Sequence, residues 1–384
     1  MQLSTDRILT THVGSLPRSQ AVVDLLFAQD RGEAVDLAAF DATMQGAVEQ
    51  AVQKQMAAGI DVVSDGEMSK ISYATYIRHR LTGFEISTTP PPRATPKDLD
   101  DFPEFRDRLA QAGGTPQYHR PVCRGPIAIK DLAPLHQDIA NFKQALAAAG
   151  ADEGFMNAAS PGVIAIFQPN QYYASHEAYL AALADVMKIE YETIVNAGLL
   201  LQVDCPDLAM GRHIRFRDAS DAEFLKNAEA QVEALNYALS HVPADRVRMH
   251  LCWGNYDGPH IHDVALQTIA EIVLRAKPQC ILFEAANPRH AHEWKVWRDL
   301  DIPDDKVLAP GVIESTNNFV EHRELVAQRI ERFAEIVGRE RVLAGTDCGF
   351  GTFAGFGAVH PSIAFAKLAA LAAGAHIASG RLWR

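Results

Sequence analysis

The sequence predicts an α/β chain folded as a single (β/α)8 TIM barrel, and three observations carry that expectation. Eight short apolar runs recur along the 384 residues, at 8–15, 60–66, 154–160, 199–205, 247–252, 280–285, 307–313 and 342–348. Several are apolar throughout, as parallel strands buried on both faces must be. Longer stretches with apolar residues at helical spacing lie between them, at 176–197, 221–239 and 320–337. Strand and helix alternating eight times reads as a barrel. A doubly wound sheet is the competing architecture, but GSLP, not G-x-G-x-x-G, follows the first run.

One stretch breaks the rhythm. Residues 87–117 contain TTPPPRATPKD, an acidic run and AGGTP, which reads as a Pro-rich surface excursion after the second strand. RPVCRGPIAIKD, residues 120–131, is expected to add a strand that closes it. With no internal repeat and no second boundary, the expectation is one domain over 1–384, with 87–130 as the excursion.

A net charge of -12 disfavours nucleic acid as a partner, since an acidic chain repels a phosphate backbone. No basic segment followed by an apolar one opens the chain, and no apolar run is read as long enough to cross a bilayer. Together these point to the cytoplasm. Five cysteines, an odd number in a long chain, make a poor disulfide framework. In a reducing compartment they serve as core residues, metal ligands or nucleophiles.

The tips of the eight runs are THVGSLPR, SDGE, NAASPG, QVDCP, HLCWGN, FEAANP, APGVIEST and GTDCGFGT. Barrel enzymes place their sites at these C-terminal ends. In HLC, His250 and Cys252 are two apart, so on a strand they share a face. Glu284 ends the next run and Cys348 the last. An imidazole, two thiols and a carboxylate from three tips suit Zn2+, which takes such donors in a tetrahedron. Two thiolates with a displaceable carboxylate leave room for a substrate sulfur, whose pKa the metal would lower. Taken singly, a cysteine or histidine at a strand end is more often packing.

At these residues the sequence resembles the C-terminal catalytic barrel of cobalamin-independent methionine synthase, over nearly its whole length. That resemblance implies a metal held by His250, Cys252, Glu284 and Cys348, the last within Asp347-Cys348-Gly349, with APGVIE at 309–314 matching a further family segment. It implies that Gly14 and Ser15 hold the carboxylate of homocysteine, and that Glu67 and Asp204 hold its amino group. The implied activity is methyl transfer from a folate-type or other donor to a thiol. Physically, a zwitterion in a dry cleft needs hydroxyl or N–H donors at one end and acids at the other. The modest alternatives are a turn or helix N-cap for Ser15, an N-cap neighbour or surface salt bridge for Glu67 and a pre-proline turn for Asp204.

The sequence departs from the family pattern in places. Thr316 stands where the family has a catalytic histidine, and no aromatic residue marks a pterin site, Tyr172 and Tyr173 being the candidates. A related single barrel, epoxyalkane:coenzyme M transferase, adds a zinc-bound thiol to an epoxide and supplies the alternative reading. Its sulfonate thiol calls for cations, for which Arg18, Arg120, Arg124 and Arg212 are candidates. Glu67 and Asp204 favour an amino-acid thiol instead. Cys280, at a strand start, is expected on the face opposite the site, and GFGTFAGFG after Cys348 is expected to form a loop at its edge.

Overall fold

In a computed structural model the chain is described over residues 1–86, 95–111 and 121–384. All eight apolar runs contain strands: β1 (Leu9–Thr10), β2 (Val62–Ser64), β3 (Glu153–Ala159), β4 (Leu200–Asp204), β5 (Val247–His250), β6 (Cys280–Phe283), β7 (Val307–Ile313) and β8 (Leu343–Thr346). Each pairs in parallel with the next from β2 to β8, and β8 pairs with β1. The Asp61 N–H donates to the Thr10 carbonyl at 3.1 Å, and the Thr11 hydroxyl to the Val62 carbonyl at 3.1 Å. These bonds bring β1 against β2 and make the sheet a (β/α)8 barrel.

The period-2 alternation of strands divides the apolar residues into two layers. Along β6, Cys280 and Leu282 join Leu9, Val13, Val307, Ala309 and Leu343 in an inner cluster. Ile281 and Phe283 belong to the larger core under the helices, where Phe283 meets Trp297 at 4.5 Å between ring centroids. Cys280 therefore shares the strand face of Leu282 and Glu284 instead of the face opposite the site, and is fully buried at the start of the strand.

The helical spacing resolves into His176–Asn196, Asp221–Ala238 and Arg323–Val337. Ser175 and Ser220 cap the first two by accepting from the Ala178 and Glu223 N–H groups. The third starts later than expected because His322 is its N-cap, accepting from the Glu324 N–H at 3.2 Å. The last helix, Pro361–Leu382, is by length and composition apolar enough to cross a membrane, which amends the sequence expectation. Its apolarity serves packing in this fold. Ala364, Leu368, Leu371, Ala375 and Ala378 are buried, and Gly374 lies so close to Val326 that a Cβ would come within 2.3 Å.

Residues 87–94 and 112–120, which hold part of the Pro-rich stretch and Arg120, lie outside the described residues. The expected extra strand is Pro121–Cys123, paired antiparallel with Phe84–Ile86. Between them, helices Asp98–Asp101 and Pro103–Gln111 form a strap tied down by its own acids. The Tyr256 hydroxyl donates to Asp98 at 2.7 and 2.8 Å, and the His260 N–H to Asp98 at 2.7 Å. His262 meets Asp101 at 2.6 Å, and Arg217 pairs with Asp100.

Candidate active site

The tips of β1, β2, β4, β5 and β8 meet at a cavity of about 450 Å³ lined by Ser15, Glu67, Asp204, His250, Cys252 and Cys348. Six of the eight residues named from the sequence thus meet in one place. Gly14 shapes the floor from behind: its φ is 127°, and a Cβ would sit 2.2 Å from the Asn157 Oδ1. A side chain there would be strained and would displace Asn157.

The sheet register explains why the donors converge. Asp204 pairs with His250, and His250 with Leu282, so Cys252 and Glu284 each lie two residues beyond paired positions on adjacent strands. The ladder ends at His250, but the Leu251 N–H still donates to the Leu282 carbonyl at 2.8 Å and keeps the chain extended. Cys252 and Cys348 come within 3.8 Å between sulfurs. Donor atoms of His250, Cys252 and Cys348 all lie within 4.8 Å of one another, and all three residues are buried. Two sulfurs and one imidazole at this spacing fit a metal ion such as zinc.

Charge in this dry pocket is costly until a cation arrives. The Cys348 thiol is pushed well above its ordinary value by its contact with Cys252 and by burial. For His250, burial acts downward, but Asp204, Cys252 and Glu284 outweigh it and raise the imidazole. The Gly254 N–H, donating to the Cys252 sulfur at 3.3 Å, is placed to support a thiolate.

Glu284 stands beside the cysteine–histidine triad rather than within it. Its Oε1 accepts from the Trp253 N–H at 2.9 Å, and its Oε2 from Asn287 at 2.8 Å and Arg289 at 2.7 Å. The turn after it is stapled by Asp347, whose carboxylate accepts the N–H groups of Ala285, Ala286 and Asn287 at 2.8 Å each. Asp347 belongs to the Asp347-Cys348-Gly349 motif, yet nothing in the sequence signals this role.

The acid end of the cavity is built by Glu67 and Asp204. Glu67 has a φ of 56°, rare for a residue with a side chain, and its Oε2 is buried without a hydrogen-bond partner. Burial, reinforced by Asp204 and opposed by Lys70 and Arg18, raises its carboxyl to about 8. Asp204 is held by Asn157 at 3.0 Å and Gln202 at 2.9 Å, with His250 3.6 Å away. Gln202 in turn accepts from Arg248 at 2.9 Å, a guanidinium buried over the Phe155 ring at 3.9 Å. A chain of polar contacts therefore runs from the barrel interior to His250.

Other expectations fall elsewhere. Arg18 donates to the Glu67 and Gly351 carbonyls, Arg212 to Asp221 and the Phe216 carbonyl, and Arg124 to Gln171. None of the three lines the cavity; Arg106 of the strap, beside Asp107, does. Thr316 donates to Glu314 at 2.8 Å and lies outside the lining. Tyr172 and Tyr173 pack on each other at 5.1 Å, also away from it. The aromatic lining comes instead from Tyr73 and Phe167, which carry no sequence signal, and from Phe353 and Phe356. The last two belong to the glycine-rich loop after Cys348, which does reach the site. It seats on the tip of β1 so closely that a Cβ on Gly349 would fall 1.9 Å from the Ser15 Oγ.

A closed parallel barrel with sulfur and nitrogen donors gathered at the C-terminal ends of its strands defines a metal-dependent barrel enzyme. The profile of the family described as cobalamin-independent synthase, catalytic domain, matches residues 8–90 and 106–370. The chain belongs to the cobalamin-independent methionine synthase family and is an S-methyltransferase. It is 25% identical over 380 residues to a methionine synthase of Saccharolobus solfataricus, covering 98% of this chain and 96% of that one. A B12-independent methionine synthase from Shewanella sp. W3-18-1, solved in complex with selenomethionine, superposes with a TM-score of 0.74 at 18% identity, covering 98% of this chain and 99% of that one. A putative vitamin-B12 independent methionine synthase from Listeria monocytogenes gives 0.63 at 19% identity, covering 97% and 98%. The two structures share the fold, and the family favours methyl transfer over epoxide opening.

Proposed function

We propose that this chain binds one zinc ion through His250, Cys252 and Cys348, with Glu284 as an exchangeable fourth ligand, and methylates homocysteine to give methionine. The observation that carries the reading is the gathering of the three donors within 4.8 Å, in the same cavity as an unpartnered Glu67 carboxyl oxygen. Zinc would supply Lewis acidity that holds the substrate sulfur as thiolate at neutral pH. The rest falls to the chain itself. Glu67 and Asp204 take the substrate ammonium, and Gly14 and Ser15 face its carboxylate. The buried floor excludes water from the sulfur, and the methyl donor enters over the aromatic half of the cavity. The folate or other donor remains a small molecule in this reading, the whole of 1–384 acts as one barrel, and five free cysteines suit the cytoplasm.

Two measurements test it. Cys348→Ala should lose zinc yet keep its circular dichroism and cooperative unfolding, because the barrel core does not involve the donors. Glu67→Gln and Asp204→Asn should keep zinc and weaken homocysteine binding by about 2–5 kcal/mol, as for other buried charge pairs. A full equivalent of zinc in Cys348→Ala, or unchanged homocysteine affinity in both amide variants, would refute the assignment.

A further inference from the structure

We propose that Arg289 is the residue that receives Glu284 when a thiol takes the carboxylate's place on the metal, a role that rests on the metal–thiol reading above. The motivating observation is that Glu284 is already turned toward it. Its Oε2 accepts from the Arg289 guanidinium at 2.7 Å, while the donors of His250, Cys252 and Cys348 cluster without it.

Arg289 is held as firmly as the ligands themselves. Its other guanidinium nitrogen donates to the Asp263 Oδ2 at 3.0 Å. Asp263 sits in a ring of three histidines, with His213 at 3.0 Å, His260 at 3.0 Å and His290 at 3.2 Å. His290 is fixed from its other side by Glu293 at 2.7 Å, and His260 adopts a φ of 53°, a conformation kept only where its surroundings enforce it. His260 and His290 hydrogen-bond one carboxylate, His213 approaches it, and the arginine shares it. The cluster is therefore a clamp on Arg289 and not a second metal site.

The chemistry requires such a partner. With a metal held by His250, Cys252 and Cys348, an incoming thiol would lose its S–H proton to solvent and bind through the freed sulfur pair, and Glu284 would withdraw with its own pair. The charge at the metal is unchanged, but a carboxylate is left in a buried cleft, where it is strongly disfavoured without a cation. Arg289, Asn287 and the Trp253 N–H together satisfy both of its oxygens. Arg289 is thus a positioning residue that sets how readily the fourth ligand exchanges.

The test uses zinc-loaded protein with X-ray absorption at the zinc edge, with and without homocysteine. Wild type should exchange an oxygen for a sulfur ligand. Arg289→Met should retain its oxygen ligand, bind zinc at least as tightly in chelator competition, and lose at least about 30-fold in homocysteine affinity, the lower end for a broken buried pair. Arg289→Lys should recover most of the exchange, and Arg289→Gln replaces the Met variant if that one does not fold. A residue that only held the loop would weaken zinc binding in every variant and leave ligand exchange intact. Sulfur-for-oxygen exchange in Arg289→Met with affinity within about twofold of wild type would overturn the proposal. Wild type that gains no sulfur would instead sink the reading beneath it.

Discussion

Glu67 is constrained in both backbone and charge. Its left-handed φ is tolerated because the Arg18 guanidinium grips its carbonyl at 2.6 Å and the Asp65 side chain accepts its N–H at 2.9 Å. Burial first, then Asp204, lifts its carboxyl from 4.5 to about 8. At pH 7 the free protein therefore holds a proton there, which an incoming ammonium must expel. Methionine is the cleaner probe than homocysteine, since its thioether loses no proton at a metal. Its affinity should rise as pH climbs from 6 to 8 with measurable proton release in calorimetry, and Glu67→Gln should flatten both. The sign for stability is opposite. The folded form holds this proton more tightly than the unfolded one, so stability declines as pH rises from about 4.5 to about 8. Equal slopes for wild type and Glu67→Gln in pH-dependent unfolding would contradict this. At this scale the sequence was informative wherever a residue type carries chemistry at a strand tip. It was silent on Arg289, Asp263 and Asn157, which act only through partners distant in the chain.

Among the elements, strand positions were legible because an apolar run between amphipathic stretches has few other uses. Their ends were not. Residues 8–15 form a two-residue strand because the chain bends into the mouth at Gly14, where tip residues face the cavity and neighbouring loops instead of a ladder partner. The turn at 284–287 shows what replaces the ladder, since Asp347 alone accepts three of its backbone N–H groups. Asp347→Asn must turn an N–H2 group toward donors. The expected cost is about 1–3 kcal/mol for the unsatisfied groups. Hydrogen exchange should localise the damage to the amides of Ala285, Ala286 and Asn287. Protection there equal to wild type would show that the staple is not needed. The strap at 95–111 was legible only as a surface excursion. Its acids do anchor it, but to Arg217, Tyr256 and His262, more than 100 residues onward, and no local pattern reports that.

For the molecule as a whole, the charge of -12 bears on how the methyl donor arrives. A polyanionic donor such as a polyglutamylated folate would be repelled on approach, so its association rate should increase as salt screens the field, whereas a neutral donor's should not change. Stopped-flow association between about 20 and 300 mM salt, where the screening length shortens several-fold, separates the two cases. An anionic donor that binds more slowly with added salt would mean that local cations, not the overall field, control entry.

The strap also joins the two halves of the rim. It is inserted between β2 and β3, yet its anchors lie after β4 and β5, on the chain that follows Asp204 and Cys252. Thr95, Leu99, Arg106 and Leu109 line the cavity from above, so substrate and product pass beneath a roof fastened at its far edge. Unfastening would displace solvent along two short helices, and the rate of such a motion is set by friction rather than by chemistry. Turnover should accordingly slow as sucrose raises the viscosity of the medium. Tyr256→Phe, which leaves Asp98 with one donor fewer, should abolish that dependence by making chemistry the slow step.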